Sequence, residues 1–102
     1  MIIEYVRYVL KQSKPEALVA AYERAAEALR AAPECIGYEL SRCEEDPNAF
    51  VVRLRWESAE DHLSGFRKGP HFPRFFEAVR PFIGEIAEMR HYAVTDVVWW
   101  RS

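Results

Sequence analysis

The sequence predicts an α+β protein of the ferredoxin-like type, β-α-β-β-α-β, in which a four-stranded antiparallel sheet carries its helices on one face. Three observations predict it. Four short segments alternate with the period of two that a half-buried strand needs, a long segment after the first repeats its apolar residues at helical spacing, and a shorter helical stripe separates the last two.

The first strand spans Ile2 to Leu10, with Ile2, Val6, Tyr8 and Leu10 on one parity and Ile3, Tyr5, Arg7 and Val9 on the other, so both faces need cover. Ser13-Lys14-Pro15-Glu16 reads as a capping box with proline in the first turn, and Leu18, Tyr22, Ala25, Ala26, Leu29 and Ala32 follow at helical spacing. Pro33 stops this helix, whose outer face carries Glu23, Arg24, Glu27 and Arg30.

Ile36, Tyr38 and Leu40 mark the second strand, Cys35 to Arg42, and Phe50, Val52, Leu54 and Trp56 mark the third. Glu44-Glu45-Asp46-Pro47-Asn48 is the hairpin loop between them. Ser58 caps a short helix with Asp61 in its first turn, limited by Gly65 and Gly69-Pro70. A second helical piece carries Phe72, Phe75, Phe76 and Val79, and Pro81 and Gly84 end it. The last strand, Glu85 to Thr95, sets Ile86, Tyr92 and Val94 with Glu88 and Arg90 against Ala87, Met89, His91 and Ala93. The tail Asp96-Val97-Val98-Trp99-Trp100-Arg101-Ser102 is too apolar to stay in water unpacked.

At 102 residues the chain reads as one domain, 1–102, and a content of 50% hydrophobic and 29% charged residues excludes a disordered segment. A net charge of -2 gives no general attraction to nucleic acid or an anionic membrane. No apolar run approaches the ~20 residues of a membrane span, and Met1-Ile2-Ile3-Glu4 opens no signal peptide, so a cytoplasmic protein is expected. Cys35 and Cys43 lie on one strand, roughly 26 Å apart, far beyond the reach of a mutual disulfide.

Helices cover only one face of such a sheet, yet the other carries Cys35, Gly37, Cys43, Met89 and Ala93 beside the second parity of strand one. Leaving apolar surface wet forfeits about 25 cal/mol per Å², which predicts an isologous homodimer through that face. Trp99-Trp100 then lies across the partner or folds back on its own subunit.

Arg55 to Ile83 is the densest aromatic stretch, and such a density fills a core or walls a pocket. His62 and His71 within it, and His91 beyond it, are the candidate titrating groups near neutral pH. Their spacings of 9 and 20 match no metal-ligand pattern, so no metal is expected. No Gly-rich phosphate loop, G-x-S-x-G elbow or C-x-x-C pair is present, which removes nucleotide, serine-hydrolase and thioredoxin-like chemistry.

The run Arg55-Trp56-Glu57-Ser58-Ala59-Glu60-Asp61-His62-Leu63, with Gly69-Pro70-His71-Phe72 and Phe75-Phe76, resembles the antibiotic biosynthesis monooxygenase family of dimeric α/β-barrel proteins. The resemblance implies a ferredoxin-like protomer, a homodimer whose sheets close into a barrel, and a pocket between sheet and helices for a small aromatic substrate. It also implies oxidation of a quinol or polycyclic phenol by molecular oxygen with no cofactor, because a phenolate is electron-rich enough to reduce oxygen itself. The protein then supplies a dry aromatic pocket, a proton acceptor and a donor for the developing anion.

On that reading Trp56, Phe66, Phe72, Phe75 and Phe76 wall the pocket, His62, His71 or His91 takes the proton, and Arg7, Arg90, Tyr5, Tyr38 or Tyr92 contacts the substrate and donates. A second reading keeps the fold without the chemistry, as a non-catalytic ligand-binding or dimerisation protein. The haem-degrading branch of the fold uses an Asn on strand one, whereas Asn48 here stands in the hairpin loop, which points away from haem.

Overall fold

β1 (Ile2–Val9) is paired on both sides, antiparallel to β3 (Ala49–Trp56) and to β4 (Ile86–Ala93), while β2 (Cys35–Arg42) pairs with β3. The sheet order is therefore β2-β3-β1-β4, the ferredoxin-like arrangement, and the four strands do not close into a barrel. This computed structural model describes residues 1–102, the side chain of Leu63 excepted.

One face of the sheet is built from Val6, Tyr8, Phe50, Val52, Leu54 and Trp56, all buried, and α1 (Pro15–Ala31) packs there through Leu18, Ala21, Tyr22, Ala25 and Leu29. Alanines at two of those five positions let the helix approach closely. Each large side chain buried there contributes about 1.5–3 kcal/mol. The β2–β3 loop and the stop at Ala32 follow the expected pattern, since Pro33 cannot continue the helix.

The helix start differs from the capping-box expectation. Lys14 occupies the N-cap with no side-chain cap, and Ser13 lies one residue outside. The Glu85 carboxylate reaches across instead, and its Oε1 accepts the N–H groups of Lys11 and Gln12 at 2.8 Å and of Ser13 at 3.2 Å. A carboxylate from the far end of the chain thus holds the three N–H groups that lead into the helix, among them the Ser13 N–H that Glu16 would serve in a capping box.

After β3, Ser58 Oγ accepts the Asp61 N–H at 3.1 Å, as a cap should. The next segment, Asp61–Phe66, is wider than an α-helix, and the Arg67 N–H reaches the His62 carbonyl five residues back at 3.1 Å. Such a π-helical turn is costly and tends to occur at functional sites. α2 (Phe72–Val79) follows, then a 3-10 segment, Arg80–Glu85, that delivers the chain to β4.

Two bulges change which side chains face the helices. Between β1 and β4 the register steps so that Tyr8 pairs with Ile86 but Arg7 with Glu88, leaving Ala87 as the extra residue. Beyond that step Met89, His91 and Ala93 share the helix side with Val6, Glu4 and Ile2, which corrects the expectation that Met89 and Ala93 face away. Between β2 and β3 a second step separates Cys35 from Gly37, so Cys35 packs on the core and Ile36 stands exposed. Both cysteines are free.

The opposite sheet face holds Ile3, Tyr5, Arg53, Arg55 and Tyr92, with Tyr5 and Tyr92 edge to face at 5.2 Å. Beyond β4 the Val94 N–H donates to the Met1 carbonyl at 3.0 Å, and the Arg55 guanidinium lies over the Trp100 ring at 5.8 Å. The tail tryptophans remain 70% exposed. Among the described residues no helix is long and apolar enough to cross a membrane.

Candidate functional site

A cavity of about 240 Å³ lies between the sheet and the segments that follow β3. Trp56, Phe66, Phe72, Phe75 and Phe76 line it, joined by Val6, Leu54, Val79, Ile83, Ile86 and Met89. The rings form a connected set, with Phe66 5.0 Å from Trp56, 5.7 Å from Phe72 and 5.4 Å from Phe75. Helical spacing explains the arrangement: Phe72, Phe75, Phe76 and Val79 fall on one side of α2, which leans over the strands.

Polar groups enter at two places. Tyr8 and Tyr22 share a hydroxyl hydrogen bond of 2.7 Å, and burial pushes both phenols above their ordinary range. Near Trp56 stands Glu4, a carboxylate on the apolar parity of the central strand and only 5% exposed. The Trp56 indole N–H donates to Glu4 Oε1 at 3.3 Å, His62 Nδ1 lies 3.5 Å from Oε1, His91 Nε2 lies 3.6 Å from Oε2, and an Arg67 nitrogen lies 4.0 Å from Oε2.

Burial raises the Glu4 carboxyl above the usual range, a shift that His91, the indole hydrogen bond and Arg67 partly offset. His62 moves the other way, down to about 4, because burial and the nearby Arg67 and His91 disfavour its cation. It is a neutral imidazole at pH 7, 3% exposed, its ring tilted against Trp56 at 4.8 Å and against His91 at 4.9 Å. Neither of its ring nitrogens has a hydrogen-bond partner among the described residues.

The structure thus brings together His62, His91 and the five aromatic candidates, and adds Glu4, Arg67 and the Tyr8–Tyr22 pair. It separates the others. Arg90 is exposed and pairs with Glu88 at 2.9 Å, on the face away from the cavity. Tyr5, Tyr92 and Arg7 border a groove on that same outer face. Tyr38 faces a groove between α1 and the β2–β3 strands, and half-buried His71, at the N-cap of α2, is not on the cavity wall. Alternation decides the first four: odd positions of β1 and even positions of β4 cannot reach the helix side.

His91, named among the candidate bases, shares its parity with Met89 and Ala93, the set expected to face away, and the Ala87 bulge is what turns all three inward. Glu4 was missed altogether. Its signal was a lone charge on the parity of Ile2, Val6 and Tyr8, where water cannot solvate it.

A family model described as antibiotic biosynthesis monooxygenase matches residues 1–78. The uncharacterized protein YczJ of Bacillus subtilis is 23% identical over 92 residues, spanning 90% of this chain and 97% of YczJ. SnoaB, a cofactor-independent oxygenase from Streptomyces nogalater, superposes with a TM-score of 0.71 at 17% identity, over 94% of this chain and 95% of SnoaB. A Bordetella bronchiseptica protein provisionally assigned as an antibiotic biosynthesis monooxygenase gives 0.73 at 22% identity, over 92% and 96% of the two chains. At such identities the structural likeness speaks for the fold.

Proposed function

Because this chain belongs to the antibiotic biosynthesis monooxygenase family, we propose that it is a cofactor-independent monooxygenase that oxidises a quinol or polycyclic phenol with molecular oxygen. The observation that carries this reading is the aromatic cavity with one buried carboxylate at its edge. A flat ring system lies against the wall formed by Trp56, Phe66 and Phe75, and its hydroxyl is directed to the polar end. Glu4 accepts the phenolic proton, since it is ionisable, desolvated and held by the Trp56 N–H. Neutral His62 and cationic Arg67 donate to the oxyanion or peroxide that forms next. One oxygen atom enters the ring and the other leaves as water, so the substrate gives up two hydrogens and no external reductant is consumed.

The assembly belongs to the same reading. A second copy covers the outer sheet face, where Tyr92, Val94, Trp99 and Trp100 are exposed, and forms a homodimer. Light scattering at micromolar concentration tests this, and a stable 11.9 kDa monomer rejects it. For the reaction, oxygen uptake is followed with a panel of hydroquinones and anthrone-like phenols. Uptake that disappears in Glu4→Gln supports the assignment. No uptake with any compound, together with ligand-induced thermal shifts, transfers the cavity to a binding role.

A further inference from the structure

Glu4, His62 and His91 come from three separate elements, β1, the π-helical turn and β4, and meet beside the cavity. One donor atom from each lies within 4.8 Å of the other two; His62 Nδ1 is 3.5 Å from Glu4 Oε1, and His91 Nε2 is 3.6 Å from Oε2 of the same carboxylate. Tetrahedral zinc with bonds of about 2.0–2.1 Å sets neighbouring donors about 3.3–3.4 Å apart. Each histidine therefore already lies near that distance from one oxygen of the carboxylate, and a rotation of His91, whose side chain is 40% exposed, brings the three residues onto one ion.

A second observation points the same way. His62 is 3% exposed and both its nitrogens lack a hydrogen-bond partner, whereas buried polar atoms nearly always have one. Its Nδ1 faces the Glu4 carboxylate at 3.5 Å, a distance for two ligands of one ion rather than for a well-made hydrogen bond.

We propose that Glu4, His62 and His91 bind one divalent transition-metal ion of the zinc class, with the fourth position open to the aromatic cavity. Two imidazole nitrogens and one carboxylate suit zinc, cobalt or nickel, whereas magnesium and calcium require an all-oxygen shell. The Trp56 N–H on Oε1 fixes the carboxylate as an outer-shell partner. Arg67 is the competing cation at 4.0 Å, and its side chain is 40% exposed, so it has room to swing into solvent when the ion arrives. Occupancy takes up the carboxylate that accepts the proton in the oxidation proposed above. Metal-loaded and metal-free protein are then distinct states, and the oxidation belongs to the second. Only that last consequence rests on the oxygenase reading.

The test uses the full chain stripped with a chelator and titrated with cobalt(II), whose visible bands report tetrahedral coordination, then with zinc in competition. Expected are saturable bands at one ion per chain, displacement by zinc, loss of the bands in Glu4→Gln and His91→Ala, and tighter binding in Arg67→Gln. His91 is exposed, so His91→Ala keeps the fold, which its circular dichroism melt verifies. Absent bands in the wild type, or unchanged bands in folded His91→Ala, overturn the assignment. No substrate enters this measurement, so failure of the oxygen-uptake test leaves it standing, and the reverse.

Discussion

The indole N–H of Trp56 donates to the Glu4 carboxylate across 3.3 Å, tying the last residue of β3 to a buried charge in the middle of the sheet. Trp56→Phe keeps most of the ring and removes the only hydrogen-bond donor that Glu4 has among the described residues. A lost hydrogen bond to a charged group costs about 1.5–3 kcal/mol. Urea unfolding should show that loss, and oxygen uptake should fall with it.

Phe66 and Phe76 line the same cavity from different depths, 3% and 38% exposed. Phe66→Ala should cost ~3–5 kcal/mol, as removal of a buried aromatic does. Phe76→Ala should cost about 1 kcal/mol or less and act on ligand affinity instead. Thermal denaturation with and without a phenolic ligand separates the two: the first variant melts early in both conditions, and the second loses only the ligand-induced shift.

Glu85 is held down to about 2 by the Gln12 N–H first, then by Ser13 and Lys11. A depressed carboxyl stabilises the fold fully above its unfolded value near 4.5 and loses that contribution as pH falls through about 2. Glu85→Gln should therefore melt below the wild type at pH 7, with the gap narrowing from pH 4.5 downward and closing near 2. A gap independent of pH would mean that the charge contributes nothing.

Gly65 and Gly69 flank the end of the π-helical turn, but a methyl group meets different neighbours at each. At Gly69 it collides with the backbone carbonyl of Gly65, which cannot move without unwinding the turn; at Gly65 it meets the flexible Glu34 side chain at 2.6 Å. Gly69→Ala should cost roughly 1–3 kcal/mol, as overpacking does, and Gly65→Ala clearly less. Chemical denaturation of the two variants measures the difference.

The strand and helix order was legible because each element carries its own period. Tyr38 and Leu40 alternate, Leu18 to Leu29 repeat every turn, and Pro33 marks a boundary that any chain must respect. The five pocket aromatics were legible for the same reason: one end of β3 and one side of α2 face each other in this topology. The polar half was legible only in His62 and His91; Glu4, Arg67 and the Tyr8–Tyr22 pair were not. An extra residue at Ala87 inverts every later face of β4, and period counting assumes an unbroken ladder. That is why His91 came inward and Arg90 and Tyr92 went out. Glu85 serving Lys11, Gln12 and Ser13 across the fold was equally hidden, since capping rules look only a few residues along the chain.

The three tryptophans divide sharply, Trp56 wholly enclosed and Trp99 and Trp100 largely in solvent. In a lone copy their fluorescence separates by colour and by collision: iodide should extinguish the red emission of the tail and leave a blue signal from the one indole beside Glu4 and His62, whereas a partner that covers Trp99 and Trp100 would shield the tail from the quencher. Without any label, the molecule carries an optical gauge of what enters its hollow.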